Sequence, residues 1–211
     1  MEATKSTFIE LRLTDEVINR LADLGYTLES LQEEISKHEW KHESDSPALY
    51  CGTYGKYNEG NLGGMWVDLS TFDYYEEFEA FCFAIHADEA DPEIMFQDFD
   101  NMPDCLYNES MGKKGIEKIM EYWGMCNEYS VPAVNDFLEW RTPEDLCDMY
   151  DAYMGVYDSE EDFARETVND CYDLEKMMGN LACYFDYDAL ARDLFMCDYY
   201  FGSHGTVFAR C

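Results

Sequence analysis

The sequence predicts an α+β fold built from small modules in a row. Three observations predict it. The residue patterns run strand, helix, strand, then a helical stretch, then mixed helix and strand. Hydrophobic residues make up 47% and aromatic residues 16% of the chain, enough to pack cores despite heavy charge. Turn-forming stretches such as Tyr57-Asn-Glu-Gly-Asn61 and Gly202-Ser-His-Gly205 separate short periodic segments.

Residues 1–47 read as a helical extension. Thr14 caps a helix through Leu24, ended by Gly25, and Thr27 caps a second through about Lys41. Ser44-Asp-Ser-Pro47 reads as a short linker. The first module spans 48–102. Two strands, 49–56 and 62–69, flank the Tyr57–Asn61 turn, and Gly63-Gly64 marks a bulge or a close backbone approach. Ser70 or Thr71 then caps a helix to about His86. Its apolar face is Tyr74, Tyr75, Phe78, Phe81, Cys82 and Ile85. Residues 94–99 form a third strand.

Residues 103–150 read as a helical second module, with Thr142-Pro143 as a helix start. The third module, 151–211, opens with a strand at 153–157. Asp158 caps a helix to about Tyr172, and Asp186 or Tyr187 opens another to Met196. Residues 199–201 and 206–209 close the chain as a hairpin.

Charge dominates the composition. There are 46 Asp and Glu against 14 Lys and Arg, a net of −32. Every part of the chain is negative; residues 51–100 alone carry twelve acids and one base. Self-repulsion on this scale destabilises a compact state, so the acids need a reason to be there. The nine cysteines are odd in number and form no C-x-x-C, which fits free thiols in a reducing cytoplasm. The first residues lack an apolar signal-peptide core, and no apolar run is long enough to span a membrane.

Tests for chemistry come out negative. Gly55-Lys56 lacks the G-x-x-x-x-G-K-[ST] spacing of a phosphate loop, so Lys56 is expected to pair with a nearby carboxylate. Asp98, Asp100 and Glu109 fit three positions of a calcium loop, but Met102 and Pro103 stand where a ligand and glycine are needed. The histidines His38, His42, His86 and His204 lack H-E-x-x-H spacing, and Cys82-x-x-x-His86 is a lone pair. No G-x-S-x-G occurs. The sequence therefore predicts no enzyme, no metal and no cofactor.

The placement of carboxylates is informative. In the helix after Asp158, the inner face is Phe163, Ala164, Thr167, Val168 and Cys171. Asp162, Glu166, Asp170 and Asp173 step along another face by about 6, 6 and 4.5 Å at a rise of about 1.5 Å per residue. Asp73, Glu76 and Glu77 cluster opposite the aromatic face of the earlier helix. Like charges at this spacing oppose the helix by a few tenths of a kcal/mol each. A net charge of −32 matches that of about 54 Å of DNA duplex, at one charge per roughly 1.7 Å. The acids expected to form a contact surface are Asp73, Glu76, Glu77, Asp88, Glu89, Asp91, Glu93, Asp98, Asp100, Asp158, Glu161, Asp162, Glu166, Asp170 and Asp173.

Several longer motifs add to this. They are Tyr54-Gly-Lys-Tyr-Asn-Glu-Gly60 with Gly64-Met-Trp66, residues 88–92 followed by Phe96-Gln-Asp98, and Tyr157-Asp-Ser-Glu-Glu-Asp-Phe-Ala-Arg-Glu166. Tyr184-Phe-Asp-Tyr187, Ala191-Arg-Asp-Leu194 and residues 205–208 complete the set. With these the chain resembles the ArdA antirestriction family over about residues 49 to 209. The resemblance implies a protein mimic of B-form DNA from a mobile element or phage. Such a mimic occupies the DNA-binding groove of type I restriction–modification enzymes and itself binds no nucleic acid. It also implies an elongated chain of three small domains and a homodimer joined through the C-terminal one. Three rival readings are an acidic chaperone for basic nucleic-acid-binding proteins, a halophilic surface, and a carboxylate metalloenzyme.

Overall fold

The computed structural model describes residues 14–38 and 45–210, an α+β chain with two small antiparallel sheets. It divides into two compact units, Met1–Trp123 and Gly124–Cys211. The first residues, expected to lack a signal peptide, the expected helix end near Lys41 and Ser44 of the linker lie outside the described residues.

The first unit begins with α1 (Asp15–Asp23) and α2 (Leu28–His38). The Thr14 hydroxyl accepts from the Val17 amide, and Gly25 takes a φ of +85° after the helix end. Thr27 and Ser30 cap α2 reciprocally, each hydroxyl accepting from the other residue's amide. The pair packs into this unit through His38, whose ring stacks on Phe72 and lies 4.6 Å from Phe81. Its Nδ1 accepts from the Asp68 amide at 3.0 Å.

The sheet of this unit has β1 (Ala48–Thr53) in the centre, between β2 (Met65–Asp68) and β3 (Ile94–Asp100). Both pairings are antiparallel, and the β1–β3 register shifts at Tyr50/Cys51. The first strand is shorter than expected. Thr53 accepts from the Lys56 amide and starts a short helix, α3 (Tyr54–Asn58), where the sequence predicts a strand as far as Lys56. A cap at Thr53 outweighs the aromatic content that suggested a strand. The second strand begins only after the glycines. A Cβ on Gly64 would lie 2.3 Å from the Cys51 carbonyl oxygen, so the close approach is real, while the extra residue of the β1–β3 register shift is Gln97 on β3.

The next helix, α4 (Tyr75–Ala84), also starts later than expected. Ser70 and Thr71 belong to a single 3₁₀ turn (Leu69–Thr71) capped by Asp68, whose carboxylate accepts from the Ser70 amide. Phe78, Phe81, Cys82 and Ile85 are buried, but Tyr74 precedes the helix and is exposed. Trp66 is half-buried and meets Tyr50 edge-on; Leu49, Val67, Phe78, Phe81 and Met95 belong to the core. From α5 (Lys113–Glu128), Ile116, Ile119 and Tyr122 are buried in this unit.

The second unit contains α6 (Val131–Trp140), a 3₁₀ stretch (Pro143–Asp148) and α7 (Met149–Ala152). Thr142 and Asp145 form the capping box at Pro143. Then follow β4 (Tyr153–Val156), α8 (Glu160–Cys171), α9 (Leu174–Met178), α10 (Tyr187–Cys197), β5 (Tyr199–Phe201) and β6 (Thr206–Ala209). The sheet order is β4-β6-β5, with the expected terminal hairpin as β5–β6. Phe137 of α6 packs edge-on against Phe208 at 5.3 Å, and Phe163 of α8 against Tyr199 at 4.6 Å. The cap of α8 is Ser159, one residue beyond Asp158; its hydroxyl accepts from the Asp162 amide. Asp186 caps α10 as expected, accepting from the Ala189 amide.

Candidate acidic interface

On α8, burial of Phe163, Ala164 and Val168 turns Asp162, Glu166 and Asp170 to solvent. The helix stops at Cys171, so Asp173 does not continue this stripe as expected; it caps α9, accepting from the Lys176 amide. Asp170 and Asp173 instead share the wall of an open cleft of about 850 Å³, with Arg165, Tyr172 and Tyr187. The Tyr157 hydroxyl reaches Glu166 at 3.3 Å, and the nearby Glu166 carboxylate joins burial in pushing the Tyr157 phenol up. Asp158 is exposed just before the helix.

Glu161 is not free. It pairs with Arg165 one turn on, and the Arg165 guanidinium lies 4.1 Å above the Tyr187 ring. The same arrangement recurs elsewhere. Lys113 pairs with Glu76, and that hydrogen bond holds the Glu76 carboxyl below its ordinary value. Lys118 meets Glu121, Lys37 meets Glu34, and Arg141 sits over Trp140. The basic side chains named here are thus spent on neighbouring acids or rings.

Lys56 makes the densest pairing in the first unit. Its ammonium donates to Asp88 at 2.9 Å, lies 3.4 Å from Glu89, and sits 2.9 Å from His86 Nδ1. The Thr53 hydroxyl donates to Glu89 at 2.7 Å. The expectation that Lys56 pairs with a carboxylate is met. Asp88 and Glu89 are therefore partly committed to the fold, while Asp73, Glu77, Asp91, Glu93 and Asp98 are exposed. Asp100 is half-buried and accepts from the Asn101 amide.

Two clusters among the described residues have metal-ligand chemistry: His86, Asp88 and Glu89, and Asp136, Glu139 and His204. Lys56 already fills the first. In the second, Asp136 is fully buried and is committed to the β5–β6 turn. It accepts from the His204 and Thr206 amides and from His204 Nδ1 at 2.7 Å. Burial would raise the Asp136 carboxyl, but those hydrogen bonds prevail and hold it below the ordinary range. Position 202 must be glycine there, since a Cβ would lie 2.3 Å from that of Asp136.

Sequence reasoning did not single out Asp136, whose role depends on a hairpin more than sixty residues away. It also passed over the exposed Glu144, Asp148, Asp151 and Glu160. No spacing signal separates them from the acids chosen.

The family model described as Antirestriction protein (ArdA) matches residues 49–208, and the chain belongs to that family. No curated protein and no solved structure matches it.

Proposed function

We propose that this member of the antirestriction family acts by presenting carboxylates in place of DNA phosphates to the DNA-binding groove of a type I restriction–modification enzyme. It competes with DNA and performs no chemistry of its own. The observation that carries this reading is the α8 stripe of Asp162, Glu166 and Asp170, exposed on a helix whose opposite face is buried. Successive members are separated by about 6 Å along the axis. Phosphates on one strand advance about 3.4 Å each, so the stripe approximates every second phosphate.

A helix holds these groups before docking, so little ordering entropy is lost on binding. Pairing of cations such as Lys56, Lys113 and Arg165 with neighbouring acids supports the same reading, because a cationic groove then meets few unpaired positive charges. The fifteen acids selected from the sequence form the proposed surface, with Asp88, Glu89, Glu76 and Glu161 contributing less because paired cations offset part of their charge.

The organisation we propose keeps residues 1–47 as an extension and 48–102, 103–150 and 151–211 as modules. A homodimer forms through the last of these, in the cytoplasm of the host of a mobile element. The exposed Met177, Leu181, Tyr184 and Met196 supply apolar area in that stretch.

The test is charge reversal on α8. Enzyme binding by the triple variant Asp162→Lys, Glu166→Lys, Asp170→Lys should fall far more than by any single variant. If one single reversal abolishes binding and the other two have no effect, the distributed surface is wrong. An acidic chaperone would bind histone-like proteins as tightly as the restriction enzyme.

A further inference from the structure

The molecule builds one donor set twice. In the first unit an imidazole and two carboxylates, those of His86, Asp88 and Glu89, surround a cation that belongs to the chain. The Lys56 ammonium lies 2.9, 2.9 and 3.4 Å from them. In the second unit His204, Asp136 and Glu139 repeat that set, with their ligand atoms within 4.8 Å of one another. Among the described residues no Lys or Arg forms an ion pair with Asp136 or Glu139; the partner of Asp136 is the His204 ring, at 2.7 Å.

The local fold explains the convergence. Asp136 and Glu139 are three residues apart on α6 and so share a face. The β5–β6 turn is laid on that face. Gly205 takes a φ of +88° and donates to the Gly202 carbonyl at 3.0 Å, and Gly202 has no Cβ to hold the turn away from Asp136. Ser203 and His204 are thereby brought against the two acids. The Ser203 hydroxyl donates to Glu139 Oε1 at 2.6 Å. It lies 3.3 Å from Asp136 Oδ1 and 3.2 Å from His204 Nδ1, so its oxygen marks the middle of the cluster. Asp136 Oδ2 accepts from the His204 and Thr206 amides, both at 3.1 Å, which fixes the buried carboxylate with Oδ1 toward the ring. Glu139 and His204 are exposed, so one side of the cluster is open to solvent.

We propose that Asp136, Glu139 and His204 form a structural site for a divalent transition-metal ion of the Zn²⁺ class, which clamps the β5–β6 turn to α6. One imidazole nitrogen with two carboxylate oxygens is a zinc-type donor set, whereas Mg²⁺ and Ca²⁺ favour oxygen alone. Bonds of about 2.0 Å place tetrahedral ligand atoms about 3.3 Å apart. The 2.7 Å between His204 Nδ1 and Asp136 Oδ1 therefore has to open by only about 0.6 Å, which the exposed His204 side chain permits. The ion takes the place of the Nδ1 proton now shared with Asp136, and that proton leaves to solvent. Water completes the shell on the open side. Two carboxylates without a Lys or Arg partner, in a chain of net charge −32, favour a dication there. Spacing in the sequence gave no signal, because 68 residues separate Asp136 from His204. The site does not depend on which enzyme the surface carboxylates meet, so it stands or falls separately from that reading.

The test uses the full chain, with its accessible thiols alkylated so that they cannot bind metal, and Co²⁺ alone as the probe. Titration should show saturable uptake of a single ion per chain. Visible d–d absorption without a thiolate charge-transfer band should accompany it, and the thermal midpoint should rise with Co²⁺ concentration. His204→Ala and Glu139→Gln should each weaken binding by about tenfold or more. The double variant Asp151→Asn, Glu160→Gln removes two exposed acids of the same unit and should bind as the wild type does. Both ligand variants alter exposed side chains, and their metal-free thermal midpoints check the fold; if one fails to fold, the other decides. Absence of saturable uptake, or equal binding by wild type and the folded ligand variants, overturns the proposal and leaves only diffuse attraction of cations to an acidic surface.

Discussion

Asp136 shows what a single acid can do when it is not on the surface. Its carboxylate satisfies the amides of His204 and Thr206 and the His204 ring, closing the turn between β5 and β6. Asp136→Ala leaves these donors without a partner and should cost about 3 kcal/mol, measured by urea unfolding. The folded carboxyl is held below its unfolded value of about 3.9. Its stabilisation is therefore complete above that value and lost as pH falls through the lower folded one. Wild type should lose stability relative to Asp136→Ala on acidification below about pH 4, so the gap between them narrows; a constant gap would contradict this. Gly64 makes a different demand. Gly64→Ala drives a Cβ into the Cys51 carbonyl and should cost about 3 kcal/mol, provided the strands keep their register. The glycines were legible as a close approach because two in a row at a strand edge have few other uses. Asp136 was not legible, because its partners are remote in sequence.

At the scale of elements, helix starts were readable where a hydroxyl or carboxylate precedes an apolar repeat, as at Thr14, Thr27 and Asp186. They were misread where several candidates adjoin. Ser159 took the role given to Asp158, and Asp68 capped a turn that displaced the start of α4. At Thr53 a cap hid inside what looked like a strand, because Tyr54 and Tyr57 suit strands as readily as a single helical turn. The acidic face of α8 was legible from its 3.6-residue period, but its end was not, so Asp173 was assigned to the wrong helix. The stripe has an energetic signature of its own. Glu166→Lys converts two unfavourable i,i+4 pairs into favourable ones and should stabilise the free protein by about 0.5 kcal/mol while weakening enzyme binding. Loss of both stability and binding would mean that Glu166 supports the fold instead.

At the scale of the whole molecule, a net charge of −32 is a standing cost to folding. Added salt screens exposed charges, so the thermal midpoint should rise between low and physiological salt. The same salt should weaken binding to a cationic groove, where counterions released on docking set the slope. These opposite responses separate a charge surface kept for a partner from one kept for solubility alone. The total charge was fully legible in the sequence. Which acids are committed to cations was not, because Lys56 reaches Asp88 and Glu89 only once β1 and α4 are packed.

Displacement of duplex DNA from a type I restriction enzyme, followed by fluorescence anisotropy of labelled duplex, tests the central claim most directly. The protein should release the duplex at near-stoichiometric amounts at low salt, and less effectively as salt rises. Duplex that stays bound at every salt concentration while the protein still blocks cleavage would show that inhibition does not act through the DNA groove.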